Sequence, residues 1–328
     1  MESYSRTGGE TTRAPPRFLD YIRLARFDHA TKHVFIVPGI ILAYILRGPT
    51  TPHLLLSIAQ GFLVAVSIAA ANYVINEWLD REFDSYHPTK SKRTAVQRRL
   101  NPQIVFVEWA ALIILGLGTA YFSSRTTFLA ATAFALQGVA YNVPPLRTKD
   151  KPYLDVISES INNPLRLTIG WAMVDPGAIP PGSIIIAYWF GGAFLMAAKR
   201  LSEYREIVAA YGKPLLCKYR KSFGGYTEMS LLISCFDYAM LSSFCWSVFL
   251  IKYRIEYLLL MPVTICLFSV YLALAMRPGS TAQRPERLFR EPELTVIIVI
   301  LAAMFVVTTF VDYPMLDNLT VQRYIQVQ

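Results

Sequence analysis

Charged residues are scarce: Asp, Glu, Lys and Arg make up 17% of the 328 residues, where a soluble domain carries about 25%. That excludes an ordinary water-facing globular protein. Cysteine is equally thin. Cys217, Cys235, Cys245 and Cys266 fall in or beside apolar segments without paired spacing, which excludes a zinc knuckle or a disulfide framework. The first 20 residues have no apolar core of a secretory signal, so no cleavable leader is expected. The stretch 1–16, polar and interrupted by Gly and Pro, reads as a disordered tail. No internal repeat of the kind that marks many secondary transporters is visible.

What is abundant is apolar: 54% of the chain is hydrophobic. A spanning helix needs about 20 predominantly apolar residues, and nine runs near that length occur, roughly 33–46, 54–80, 104–122, 126–144, 154–174, 183–203, 227–250, 254–275 and 293–313. The expected fold is therefore an all-α integral membrane bundle of nine transmembrane helices, one domain over 17–315, with 316–328 as a short tail. Basic loops stay on the cytoplasmic side. Alternate connections hold 27 of the 32 Lys and Arg, which places the N-terminus in the cytoplasm of a cell-membrane protein and the C-terminus outside. The net charge of +9 follows from this topology and from attraction to anionic membrane lipids, so a nucleic-acid partner is not expected.

The polar residues collect in those basic loops. At the end of the second run, Asn72, Asn76, Asp80 and Asp84 recur every four residues with Glu77 beside them. On a helix they form one stripe, and a helix over 54–84 reaches roughly 46 Å, beyond the hydrocarbon core. Acids stacked at a membrane border are costly unless something positive neutralises them. Hard oxygen ligands suit Mg²⁺, which bridges carboxylates to substrate phosphates. The plain alternative is a solvated helix end, with Glu82 and Asp84 paired to Arg81 and Lys90.

Next comes a loop with Lys90, Lys92 and Arg93, cations suited to clamping phosphate oxygens. Two further clusters match that chemistry. One runs from Tyr141 through Arg147 and Lys151 to Asp155, Glu159 and Arg166; for Asp155 an ion pair between helices is an equal reading. The other is Lys199-Arg200-Leu-Ser-Glu203-Tyr204, where Lys199 and Glu203 at i and i+4 could simply support each other.

Nine runs together with Asn76-Glu77-x-x-Asp80-x-x-x-Asp84 resemble the UbiA-type polyprenyl transferase superfamily, whose motif is NDxxDxxxD; here Glu77 stands for the first aspartate. Arg23-Leu-Ala-Arg26-Phe-Asp28 resembles the family's opening segment and Tyr141-Asn-Val-Pro-Pro-Leu-Arg147 its YxxxPLK/R segment. Ordinary members carry a second DxxxD motif after the sixth span, where this chain has Lys199-Arg200-Leu-Ser-Glu203-Tyr204. That departure, with His87-Pro88-Thr89-Lys90-x-x-Arg93, is similar to the decaprenyl-phosphate phosphoribosyltransferase branch, although Thr94 stands where that branch has Pro.

The resemblance implies a Mg²⁺-dependent enzyme whose partners are a polyprenyl lipid and a diphosphate-bearing donor. Asn76, Glu77, Asp80 and Asp84 are its expected metal ligands, with Asp80, Asp84, Lys92 and Arg93 stabilising the leaving diphosphate. Tyr141, Arg147, Lys151, Arg166, Lys199, Glu203 and Tyr204 are expected to bind substrate. Phosphoribose transfer to a polyprenyl phosphate is the expectation. Prenyl transfer to an aromatic acceptor, a terpene cyclase lined by Tyr141, Trp171, Trp189 and Phe190, and a secondary transporter stay open as alternatives, as does a homo-oligomer.

Overall fold

The computed structural model describes residues 13–280, 282 and 291–317, with the backbone alone for 28–32 and 317. The expected end segments lie mostly outside these residues. All regular structure among them is helical. After a short α1 (Phe18–Leu24) and a 3₁₀ stretch (Phe27–Ile36) come α2 (Val37–Arg47), α3 (Leu54–Asp84), α4 (Thr94–Gln97), α5 (Pro102–Ser123) and α6 (Arg125–Asn142). The second half holds α7 (Leu154–Ser160), α8 (Asn162–Ala172), α9 (Gly182–Tyr211), α10 (Lys213–Tyr219), α11 (Glu228–Tyr253), α12 (Met261–Met276), α13 (Pro292–Phe310) and α14 (Pro314–Asp317).

Local chemistry sets the helix starts. Pro102 opens α5, where its missing N–H costs nothing, and the Asn101 side chain caps the turn by accepting from the Gln103 N–H at 2.9 Å. Ser124 caps α6 by accepting from the Thr127 N–H at 3.0 Å. The apolar run 154–174 does not form one rod. Pro164 has no N–H for the Ser160 carbonyl and crowds the preceding turn, so the run divides into α7 and α8. This break leaves Glu159 and Asn162 facing the polar cavity described below.

Among the described residues, six helical segments are long and apolar enough to cross a membrane: α3, α5, α9, α11, Ile255–Met276 and α13. The other three expected spans fall on His33–Arg47, on α6 and on the broken pair α7–α8, which are shorter or more polar. Large apolar side chains point outward on the bundle, Phe122 being 82% exposed and Phe310 81%, as lipid-facing residues do. Inside, small residues let helices approach closely. A Cβ on Gly39 would strike the Leu167 carbonyl of α8, and one on Gly170 the Ile36 carbonyl. Gly39→Ala is therefore expected to destabilise the bundle by about 1–3 kcal/mol, read as a lower thermal midpoint in detergent; an unchanged midpoint would show that α2 and α8 are free to separate.

Candidate active site at the basic end of the bundle

A cavity of 740 Å³ opens at the end of the bundle where α3 ends and the connections 85–101, 143–153 and 212–227 gather. Asn72, Asn76, Asp80 and Asp84 all line it, so the four-residue spacing does place one stripe on one wall. Asp84 is 4% exposed and receives Arg93 Nη1 at 2.6 Å. Asp80 Oδ1 accepts from Arg147 Nη2 at 2.8 Å and faces Lys149 Nζ at 2.6 Å. Asn76 donates to Asn142 Oδ1 at 2.5 Å, and the same oxygen accepts from Lys149 at 2.9 Å. The solvated-helix-end reading holds only for Glu82, exposed and 3.6 Å from Arg81.

The loop cations are held in place rather than loose. Arg147 sits at φ 28, a conformation that costs a non-glycine residue about 1–3 kcal/mol and persists where surroundings over-determine it. Its guanidinium also donates to the Asn142 carbonyl and to Asp150, both at 3.0 Å. Burial draws the Lys149 ammonium down to about 8, against the pull of Asp80. Burial likewise lowers His87 and Lys90 from their usual values, with Glu203 opposing the shift in both.

The facing wall comes from α7, α9 and the segment after α10. Glu203 accepts from Tyr219 at 3.2 Å and meets His87 at 3.3 Å, Arg200 at 3.5 Å and Lys90 at 3.8 Å. Arg200, 2% exposed, also reaches Asp155 at 3.2 Å and Glu159 at 3.1 Å. Asp155, which accepts as well from Ser222 and Tyr226, thus forms the inter-helix ion pair of the equal reading. Tyr141 donates to Glu159 at 2.7 Å and accepts from Arg220 at the same distance. Burial opposes the Arg220 charge, but Tyr141, Asp155, Glu159 and Glu203 hold it well above its ordinary value.

Of the sequence-predicted residues, Asn76, Asp80, Asp84, Lys92, Arg93, Tyr141, Arg147, Lys199 and Glu203 line the cavity. Four lie elsewhere. Glu77 accepts from the Ala95 N–H at 3.2 Å and braces α4 against α3, facing a second cavity. Lys151 is exposed. Tyr204, about 100° around α9 from Glu203, packs on Phe223 and Lys213. Arg166 is buried over the Phe134 ring at 4.8 Å. Asn142, Lys149 and Glu159, which belong to the polar cluster around Tyr141 and Arg147 without an assigned role there, line the main cavity too, and Arg220, read in the sequence as a basic-loop charge alone, joins them. Of the aromatics suggested for a carbocation pocket, Tyr141 alone lines this cavity; Trp189 instead donates to the Ile157 carbonyl and stacks on Phe190.

Residues 36–291 match the UbiA prenyltransferase family. The chain belongs to this family. It is an integral membrane protein with the UbiA fold: a UbiA homolog from Archaeoglobus fulgidus bound to GPP and Mg²⁺ superimposes with a TM-score of 0.64 at 22% identity, covering 88% of this chain and 99% of the homolog. A protoheme IX farnesyltransferase of Alkalihalophilus pseudofirmus is 28% identical over 203 residues, 60% of this chain and 63% of the relative. A lycopene elongase/hydratase of Haloarcula japonica is 29% identical over 119 residues, 36% of this chain and 39% of the relative. The chain spans less than two thirds of the length of these curated UbiA-related proteins. These relatives support the family and not the phosphoribosyltransferase branch.

Proposed function

We propose that the chain is a Mg²⁺-dependent membrane transferase that expels diphosphate from its donor, moving phosphoribose from phosphoribosyl diphosphate onto a polyprenyl phosphate. The observation that supports this reading is the division of charge in the cavity. One wall carries Asp80 and Asp84; the rest of the lining holds nine Lys and Arg against four Asp and Glu, so cations predominate there. At the second acidic position of ordinary members, the one acid, Glu203, is already held by His87, Lys90 and Arg200. Such a cavity suits substrates with several phosphates more than a second metal ion.

Asn76, Asp80 and Asp84 fit Mg²⁺ by chemistry, being hard oxygen donors on one helix face. Among the described residues no group of three or more Asp, Glu, His or Cys forms a ready metal cage; Mg²⁺ is commonly held by one or two carboxylates together with substrate phosphates and waters. Bound there, Mg²⁺ would neutralise charge on the departing diphosphate. Lys92, Arg93, Arg147 and Lys149 take the remaining phosphate oxygens and hold the donor carbon toward the acceptor. An oxygen of the lipid phosphate bonds to the anomeric carbon as the bond from that carbon to the diphosphate oxygen breaks, and its electron pair leaves with the diphosphate. Glu77 is left out of the metal set because its carboxylate is turned to Ala95.

Nine crossings of one domain over 17–315, with the N-terminus and the site loops cytoplasmic, belong to the same proposal; each expected run coincides with a helix or helix pair. Prenyl transfer from a prenyl diphosphate is the second reading, favoured by the named activity of the farnesyltransferase relative and by the GPP-bound homolog.

Purified protein incubated with phosphoribosyl diphosphate and a polyprenyl phosphate is expected to form lipid-linked phosphoribose and diphosphate, to stop on EDTA addition and to resume with excess Mg²⁺. Product formed solely from a prenyl diphosphate and an aromatic acceptor would replace the first reading by the second.

A further inference from the structure

Beside the main cavity lies a second one of 410 Å³, lined by Ile22, Arg23, Arg26, Phe27, Glu77, Lys92, Arg93 and Thr94. Arg26, Lys92 and Arg93 line both, so the two spaces adjoin across shared cations. Four cations and one carboxylate, Glu77, line the second cavity; Arg93 is also held by Asp84 at 2.6 Å and Arg23 by Asp20 at 3.4 Å, so cations still outnumber acids around the space. Its outer lip is apolar and turned outward. Phe18, Leu19 and Ile22 lie on one face of α1, Phe18 being 79% exposed, and Phe27 follows them at 51%.

The opposite face of α1 is fixed to the bundle. Leu24 and Ala25 are buried in the core under α3, Asp20 meets Arg98 at 3.4 Å, and Tyr21 accepts from the Asn101 N–H at 2.9 Å. A helix whose inner face is fixed to the bundle and whose aromatic and aliphatic residues face away suits a membrane interface. Its basic neighbours Arg17 and Arg23 fit the same plane.

We propose that this second cavity docks the phosphate headgroup of the amphiphilic acceptor, with the first lipid carbons against Ile22 and Phe27 and the tail leaving along α1 into the bilayer. This deepens the reading of the acceptor as a lipid phosphate. Arg26, Lys92 and Arg93 present that phosphate to the donor held next door, so the two anions share one set of cations. A lipid phosphomonoester matches the site because it combines a compact dianion with an apolar tail at its root. Free phosphate lacks the tail, and an ordinary phospholipid lacks the compact headgroup.

The test is equilibrium binding of radiolabelled farnesyl phosphate to the full chain in phosphatidylcholine nanodiscs, with no donor present. Wild type is expected to bind it saturably, resisting competition by inorganic phosphate, by farnesol and by added phosphatidylglycerol. Arg23→Glu and Ile22→Glu, which touch neither the metal wall nor the donor cations, are each expected to weaken binding at least about tenfold, with Arg23→Lys retaining it. Both variants should keep wild-type binding of Mn²⁺ with diphosphate, which reports that the main site is folded. Wild-type affinity in both Glu variants, displacement by phosphatidylglycerol, or absence of binding in wild type overturns the docking site. If docking behaves as expected but no phosphoribosyl transfer occurs, the docking site stands and the transfer reading falls.

Discussion

Asp80→Asn is expected to lower turnover by about 10³-fold or more while the purified protein keeps its elution profile in detergent. The substitution keeps shape and removes one charge where two cations, Arg147 and Lys149, converge within 2.8 Å. It takes away an anionic metal ligand and leaves those cations to bind phosphate unproductively. The fold should survive because Asp80 lies on the cavity wall with its side chain 18% accessible, so water can reach the uncovered cations. Single-turnover assays beside size-exclusion chromatography decide the point; turnover at the wild-type rate would remove Asp80 from the chemistry.

Arg200→Ala should act on stability instead. Its guanidinium is buried among Asp155, Glu159 and Glu203, and removing one partner of a buried ionic group leaves uncompensated charge at a cost of about 3–5 kcal/mol. Arg220, 3.5 Å from Asp155, offsets part of this, so the loss belongs at the lower end of that range. The expected result is a poor yield of monodisperse protein and a thermal midpoint lowered by several degrees, with Arg200→Lys between the two. A wild-type midpoint in Arg200→Ala would mean that the cluster ties α7 to α9 only weakly.

These two residues also show what the sequence could and could not disclose. The α3 stripe was legible because it is local: a four-residue period on one continuous helix puts Asn76, Asp80 and Asp84 on one wall whatever the rest of the chain does. Glu77 shows the limit of the same reasoning. One residue is about 100° of rotation, enough to turn its carboxylate out of the main cavity and onto the Ala95 N–H. Tyr204 is misplaced relative to Glu203 for the same reason.

The opposite wall depends on how loops return. Lys149 and Arg220 reach the cavity through the connections after α6 and α10; Lys149 stands in a polar cluster of the sequence without an assigned role, and Arg220 reads there as an ordinary basic-loop charge. The ion pair of Asp155 with Arg200 joins positions 45 residues apart, a partnership that no spacing rule encodes. Span counting met a comparable limit. Apolar runs are plain in composition, but the Pro164 break and the short stretch His33–Arg47 yield segments that do not by length and hydropathy qualify as crossings.

The central claim is that the wall of α3 holds a divalent ion together with diphosphate, and it can be measured without knowing the transferred group. Mn²⁺, an octahedral oxygen-seeking ion like Mg²⁺, can be titrated into the wild-type protein with and without diphosphate while its electron paramagnetic resonance signal reports the free ion. Diphosphate-dependent Mn²⁺ binding is expected in wild type and Glu77→Gln, and its loss in Asp80→Asn and Asp84→Asn. Undiminished binding in both aspartate variants would contradict it.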